Sequence, residues 1–204
     1  MIKILIVEDQ VIMRDSLASL INGQEDMRVV GSIGSAADAP GLCKKTSPDL
    51  VLMDVCTDNN ESGIAAAAEI RAQYPKVKII IMTGMPEITY MESSRKAGVD
   101  SFLYKNVKSE TMLATIRSTM DGYGTFPREA PSVLPGSLSF TDMEIAILRL
   151  VCEAKTRKEI ARELAMSEGS VKAVITDILN KTGYDSIMKF AVFAVAKGYI
   201  NPNV

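Results

Sequence analysis

Glu8, Asp9, Asp54, Thr83 and Lys105 carry the functional groups that phosphoryl chemistry uses, and each closes or follows a short apolar run. Clustered carboxylates repel one another, by about 4 kcal/mol per pair at about 4 Å where the effective dielectric is about 20. Three acids brought together therefore make sense around a divalent cation. Magnesium suits them, as a hard ion that takes oxygen ligands octahedrally and keeps several waters. In such a site Asp54 can act as a nucleophile and give an aspartyl phosphate. Magnesium and the Lys105 ammonium would neutralise charge on the transferring group, and the Thr83 hydroxyl can donate a hydrogen bond to it. Acids after strands can instead be plain helix caps, and a lysine there a solvated surface group. Five such residues at matching positions favour the shared site.

A sheet must bring them together. Short apolar runs lie at 2–7, 28–33, 50–53, 77–82 and 101–104, with helical patterns near 11–22, 36–46, 62–74, 87–97 and 108–121. This alternation predicts an α/β domain, a doubly wound parallel five-stranded sheet with helices on both faces. The runs at 4–7, 50–53 and 79–82 do not alternate, as expected of strands covered on both sides. Ligand sites in such sheets form beyond the carboxyl ends of the strands, where strand order reverses. All five residues fall there.

The texture then changes. Residues 123–139 carry Pro127, Pro131, Pro135, Gly124 and Gly136 without periodicity and read as a linker. From Phe140 onward only helical segments follow. The expected organisation is a first domain over 1–122, a linker over 123–139 and an all-α four-helix domain over 140–204. In the last, Thr141-Asp142-Met143-Glu144 has the pattern of a capping box before an apolar helix. Two helices with a tight turn between them, the second capped by Ser167, read as a helix-turn-helix. On the second, Val171, Val174, Ile175 and Ile178 share an apolar face. Lys172, Ala173, Thr176, Asp177 and Asn180 lie opposite, free to enter a major groove of double-stranded DNA.

Composition bounds the rest. The chain has 204 residues, 47% hydrophobic and 24% charged, in keeping with a globular protein of two domains. No apolar run approaches the roughly 18 residues of a membrane span, and the start reads as a strand with no secretory signal evident. Three scattered cysteines and the absence of histidine remove His-based catalysis and most zinc sites, and fit a reduced cytoplasmic protein. Residues 1–122 hold 13 Lys/Arg against 16 Asp/Glu, and residues 137–204 hold 9 against 8, so bulk charge supports nucleic-acid binding only weakly.

The segments Val7-Glu8-Asp9-Gln10, Leu52-Met53-Asp54-Val55, Ile81-Met82-Thr83-Gly84 and Ala97-Gly98 through Tyr104-Lys105 resemble the receiver domains of two-component systems in order and spacing, over about 120 residues. The resemblance implies a flavodoxin-like fold with Asp54 as phosphoacceptor. It places Asp9, Asp54 and the Cys56 backbone carbonyl on magnesium, with Glu8 holding the metal through water. Thr83 and Phe102 would be the switch pair, although a buried Phe102 is also what packing alone predicts. Thr141 with Glu144, Lys158-Glu159-Ile160-Ala161, Leu164, Ser167, Val171-Lys172 and Lys181 with Gly183 resemble the LuxR-type helix-turn-helix of the NarL/FixJ family. This second likeness implies DNA contacts from Lys172, Ala173, Thr176 and Asn180, and a last helix over 186–198 suited to dimerisation.

Some positions depart from the family pattern. Gly63 stands nine residues after Asp54 rather than eight, Met-Pro is missing, and Asp58 and Glu61 make the loop more acidic. Those two acids either disturb the pocket or point into water. Asn106 follows the lysine where a proline is common. Val174, Met143, Thr182 and Ile187 replace a usual His, Arg, Leu and Arg, and Asp177 sets an anion on the recognition face. The reading is a cytoplasmic response regulator and transcription factor that catalyses only its own phosphorylation and dephosphorylation. A sensor histidine kinase or small phosphodonor would act on Asp54, and the active form would be a homodimer. A phosphorylation-independent regulator or a protein-interaction module of the same fold is the alternative, and a hydrolase acting on an external phosphate is disfavoured.

Overall fold

Apolar runs without polar alternation suit only strands buried on both faces, and here they form one parallel sheet. The computed structural model describes residues 1–58, 61–85, 89–127 and 140–200. Its strands are β1 (Ile2–Val7), β2 (Met27–Ile33), β3 (Leu50–Asp54), β4 (Cys56–Thr57), β5 (Glu61–Ser62), β6 (Lys78–Thr83) and β7 (Ser101–Tyr104). Five of them pair in the order β2-β1-β3-β6-β7, each neighbour parallel. The helices between are α1 (Val11–Asn22), α2 (Ala39–Thr46), α3 (Gly63–Gln73), α4 (Tyr90–Lys96) and α5 (Ser109–Met120). The chain divides into two compact units, this sheet unit and a helical one.

One face of the sheet presents Ile4, Ile6, Leu50, Leu52, Ile80 and Leu103 to Leu17 and Ile21 of α1 and to Leu113 and Ile116 of α5, all buried. Alternation along each strand turns Val7, Met53, Ile81 and Phe102 to the other face, also fully buried. Each such side chain contributes about 1.5–3 kcal/mol of transfer free energy, so the strand ends are fixed by the core behind them. Helix α2 begins at Ala39 rather than near 36, with Pro40 in its first turn, where a missing N–H costs nothing. The start expected for α4 near 87 falls on residues outside those described.

Between β3 and α3 lies an element the sequence pattern does not announce. Strands β4 and β5 form a small antiparallel hairpin, Cys56 opposite Ser62 and Thr57 opposite Glu61. Its second strand returns Gly63 to the end of β3. There Gly63 N donates to Val55 O at 2.7 Å. A Cβ at Gly63 would stand 1.8 Å from the Asp54 carbonyl oxygen, closer than any side chain permits.

The helical unit contains α6 (Asp142–Cys152), α7 (Arg157–Glu163), α8 (Glu168–Thr182) and α9 (Ile187–Ala196). Capping boxes start two of them, Thr141 with Glu144 and Thr156 with Glu159, and Ser167 Oγ accepts from Ser170 N at 3.0 Å to cap α8. Lys181 Nζ reaches Glu144 Oε2 at 2.7 Å and ties α8 to α6. The turns before and after α7 put Ala154 (φ 60°) and Ala165 (φ 51°) in the left-handed region. No described helix is long and apolar enough to cross a membrane. Of the expected linker, residues 128–139 lie outside those described.

Gly63→Ala forces a backbone shift beside Asp54. Overpacking of this severity should destabilise the protein by about 2–4 kcal/mol, read as a lowered urea midpoint at unchanged slope.

Candidate functional site

The carboxyl ends of β1, β3 and β7 meet where strand order reverses, and four of the five residues singled out meet with them. Lys105 Nζ lies 2.7 Å from Asp54 Oδ2 and 2.7 Å from Glu8 Oε2. Asp54 Oδ1 accepts from its neighbour, Val55 N, at 2.8 Å. Oxygens of Glu8, Asp9 and Asp54 all fall within 4.8 Å of one another. Glu8 is fully buried and Asp54 is 6% exposed. Arg14 Nη1 donates to the Glu8 carbonyl at 2.7 Å and fixes the turn that aims both acids inward.

Three acids face one ammonium here, so the pocket is short of positive charge. Burial pushes the Asp54 carboxyl up to about 6, against the pull of Lys105, and the Glu8 charge adds to the rise. Burial works against the Lys105 ammonium too. The hydrogen bonds and charges of Asp54 and Glu8 outweigh it and hold the lysine above its ordinary range. Asp9 Oδ1 is buried and has no hydrogen-bond partner, a costly state for a carboxylate oxygen unless a cation meets it. An all-oxygen donor set with an orphaned, buried carboxylate oxygen fits magnesium.

Thr83 is 2% exposed at the end of β6, and its carbonyl accepts from Lys105 N at 2.8 Å, so the two are joined through backbone. Phe102 lies one pleat further back, wholly buried and edge-on to Tyr104 with ring centroids 5.5 Å apart. Cys56 opens the hairpin two residues after Asp54, and its Sγ lies 3.4 Å from the hydroxyl of the buried Tyr90 on α4. The Lys105–Asn106 peptide is trans. Of the two loop acids, Asp58 is exposed, in keeping with the water reading, whereas Glu61 is half-buried and taken up by the loop ahead of α2. Its carboxylate accepts from Ala37 N at 3.0 Å, and that bond, with others to Ser35, Ala36 and Thr57, holds it below the usual carboxylate range. With Thr57 Oγ1 accepting from Ala36 N at 2.9 Å, the hairpin is latched to the loop ahead of α2.

On α8 the expected two-sidedness holds. Val171 and Ile178 are buried, Val174 and Ile175 half-buried, and Lys172, Ala173, Thr176, Asp177 and Asn180 exposed. Thr176 Oγ1 donates to Lys172 O within the helix at 3.0 Å. Beside this face is a hollow of about 390 Å³ floored by Val151, Ile160 and Ile175 and rimmed by Lys155, Arg157 and Lys172. Lys155 is neutralised by Glu153 and Glu163, at 2.8 and 2.6 Å. Arg157 is exposed at the start of α7, and the sequence reading did not single it out; its place directly after the Thr156 cap was the available signal.

Comparison with known proteins agrees with both halves. The family described as response regulator receiver domain matches residues 4–117. The family described as bacterial regulatory proteins, luxR family, matches residues 138–194. The chain is similar to the transcriptional regulatory protein DesR of Bacillus subtilis, 37% identical over 89% of this chain and 90% of DesR. It is also similar to the response regulator protein VraR of Staphylococcus aureus, 26% identical over 95% of this chain and 96% of VraR. Among solved structures, promoter-bound RcsB of Salmonella enterica serovar Typhimurium shares the fold at 17% identity and a TM-score of 0.69, covering 94% of this chain and 98% of that one.

A carboxyl raised to about 6 binds its proton more tightly in the folded than in the unfolded chain. Stability of the metal-free protein should therefore fall as pH rises from about 4 to about 6. At neutral pH, Asp54→Asn should stabilise metal-free protein by about 1 kcal/mol, and added magnesium should close or reverse the difference. Urea unfolding in chelator and in magnesium measures both.

Proposed function

The chain belongs to the response regulators that place a receiver domain ahead of a luxR-family DNA-binding domain, and we propose that phosphorylation of Asp54 switches its hold on DNA. The observation that carries this reading is the pocket in which Lys105 Nζ stands 2.7 Å from both Asp54 and Glu8. An Asp54 oxygen attacks the phosphorus of a donor, a phosphohistidine on a sensor histidine kinase or a small acyl phosphate. The donor's P–N or P–O bond breaks as the new P–O bond forms. Lys105, already on the carboxylate, is placed to follow the negative charge onto the phosphoryl oxygens. Asp9, Asp54 and the Cys56 carbonyl would hold magnesium, with Glu8 reaching it through water. The ion would supply neutralising charge to the phosphoryl oxygens.

The phosphoryl group adds nearly two negative charges to the site. The Thr83 hydroxyl donates to it from the end of β6, and the Thr83–Phe102 pair carries the change into β7. In the helical unit, Lys172, Ala173, Thr176 and Asn180 face the major groove, and Arg157 joins Lys172 in holding backbone phosphate. One lysine opposed by Asp177 gives a recognition face of modest affinity. A homodimer on two half-sites makes up the deficit through effective concentration. The outer face of α9 supports that assembly: Met188, Val192 and Val195 are exposed along one apolar stripe, 52, 66 and 39% accessible. DNA-bound dimers of RcsB, a protein of the same fold, point the same way. The working protein is thus a cytoplasmic two-domain regulator, with a receiver over 1–122 and a DNA-binding domain over 140–204.

Acetyl phosphate with magnesium should label the protein with one acid-stable, base-labile phosphate, and Asp54→Ala should abolish it. Labelling of Asp54→Ala at the wild-type level would remove the assignment. For the DNA-binding face, Lys172→Ala should weaken binding to all sequences alike. It should also reduce the slope of log affinity against log salt by about 1, whereas Thr176→Ala should alter sequence preference and leave that slope in place.

A further inference from the structure

We infer that residues 123–127 form a strap that senses the phosphorylation pocket and passes its state along the chain toward the DNA-binding unit, an inference that rests on the Asp54 reading above. By composition the segment is linker, yet it is fastened on three sides. Thr125 O accepts from Phe102 N at 2.8 Å, and Thr125 N donates to Ser101 Oγ at 2.9 Å. Ser101 Oγ is itself held by the buried Thr119 Oγ1 at 2.7 Å, so this anchor is part of the core. Ser118 Oγ donates to Tyr123 O at 3.2 Å at the end of α5. A Cβ on Gly124 would stand 2.6 Å from the Asp100 carbonyl oxygen, so the close approach to β7 requires glycine there. One residue past Thr125, the ring of Phe126 lies under Arg95 of α4, 3.9 Å from guanidinium carbon to ring centroid.

Residues 125 and 126, whose Cα atoms are about 3.8 Å apart, therefore grip two different elements. Thr125 holds the outer edge of β7, which carries Phe102 and ends at Lys105. Phe126 holds α4, the helix that follows the segment after Thr83. A shift of α4 against β7 cannot be followed by both grips, and one of them opens. Packed elements change between discrete arrangements rather than stretching, so a small movement at Thr83 and Lys105 becomes release of the strap. The strap is closed in the unphosphorylated protein. With a phosphoryl group on Asp54 the Arg95–Phe126 grip lets go, and the Thr125 bonds to Phe102 and Ser101, now held from one side only, open more often. Thr125, Phe126 and Arg95 are positioning residues in this scheme and take no part in the phosphoryl chemistry.

The test uses the full-length protein, with beryllofluoride and magnesium as the phosphoryl mimic and acetyl phosphate as the donor. Amide exchange at Phe102 and Thr125 should be at least about tenfold faster with beryllofluoride. Phe126→Ala and, as a second and milder variant, Arg95→Ala should be labelled within about twofold of the wild-type rate. Their ratio of phosphorylated to unphosphorylated DNA affinity should fall at least about threefold, because the unphosphorylated form already binds better. Equal exchange at Phe102 in both states, or a wild-type affinity ratio in both variants, overturns the strap. A wild-type protein whose DNA affinity ignores phosphorylation overturns the Asp54 reading as well, and is told apart by failing before any variant is made.

Discussion

Everything in the sheet unit answers to one ammonium group shared by two buried carboxylates. Lys105 meets Asp54 and Glu8 at 2.7 Å each, and no local stretch of chain could bring those three together. Their strands must be parallel, must end at the same edge, and must straddle the reversal in strand order. The core on both faces fixes those ends, Gly63 lets α3 start against the Asp54 carbonyl, and Arg14 sets the turn after β1. Charge then decides what the pocket is for. A lone lysine cannot balance three acids: burial, with the Glu8 charge adding to it, keeps the Asp54 carboxyl raised against the pull of Lys105, and Asp9 keeps an orphaned oxygen. A site so poised is unfavourable when empty of cations: the deficit that favours a proton on Asp54 also favours an incoming cation, which would leave the nucleophile proton-free.

Much of this was legible in the amino-acid order. The five main strands announce themselves because parallel strands need unbroken apolar runs, and strand-end acids then converge by topology alone. The faces of α8 follow from helical period, with Val171 and Ile178 inward and Lys172 and Thr176 outward. What stayed hidden has a common physical character. Strands of two residues, like β4 and β5, are too short to carry a period. The Glu61 latch joins a side chain to backbone 24 residues away, and no local pattern encodes such a bond. Residues 123–127 carry the composition of a loop, and it takes the close approach of Gly124 to Asp100 to reveal that they are packed.

The two units use charge in opposite ways. In the sheet unit, acids and lysine are buried, so each ion pair is worth more and small shifts in position matter. On the helical unit the charges that would meet DNA lie in water, where screening makes each worth little and only their sum counts. Lys172 opposed by Asp177, with Lys155 already neutralised by two glutamates, leaves few unbalanced cations on that surface.

The two alanines held at positive φ, Ala154 and Ala165, flank α7 where glycine would sit without strain. A side chain in that region costs about 1 kcal/mol per residue, a large share of the reserve of a unit of some sixty residues. The half of the molecule that reads DNA thus carries backbone strain at the turns on both sides of α7, and bound DNA, as a ligand of the folded form, would act against it.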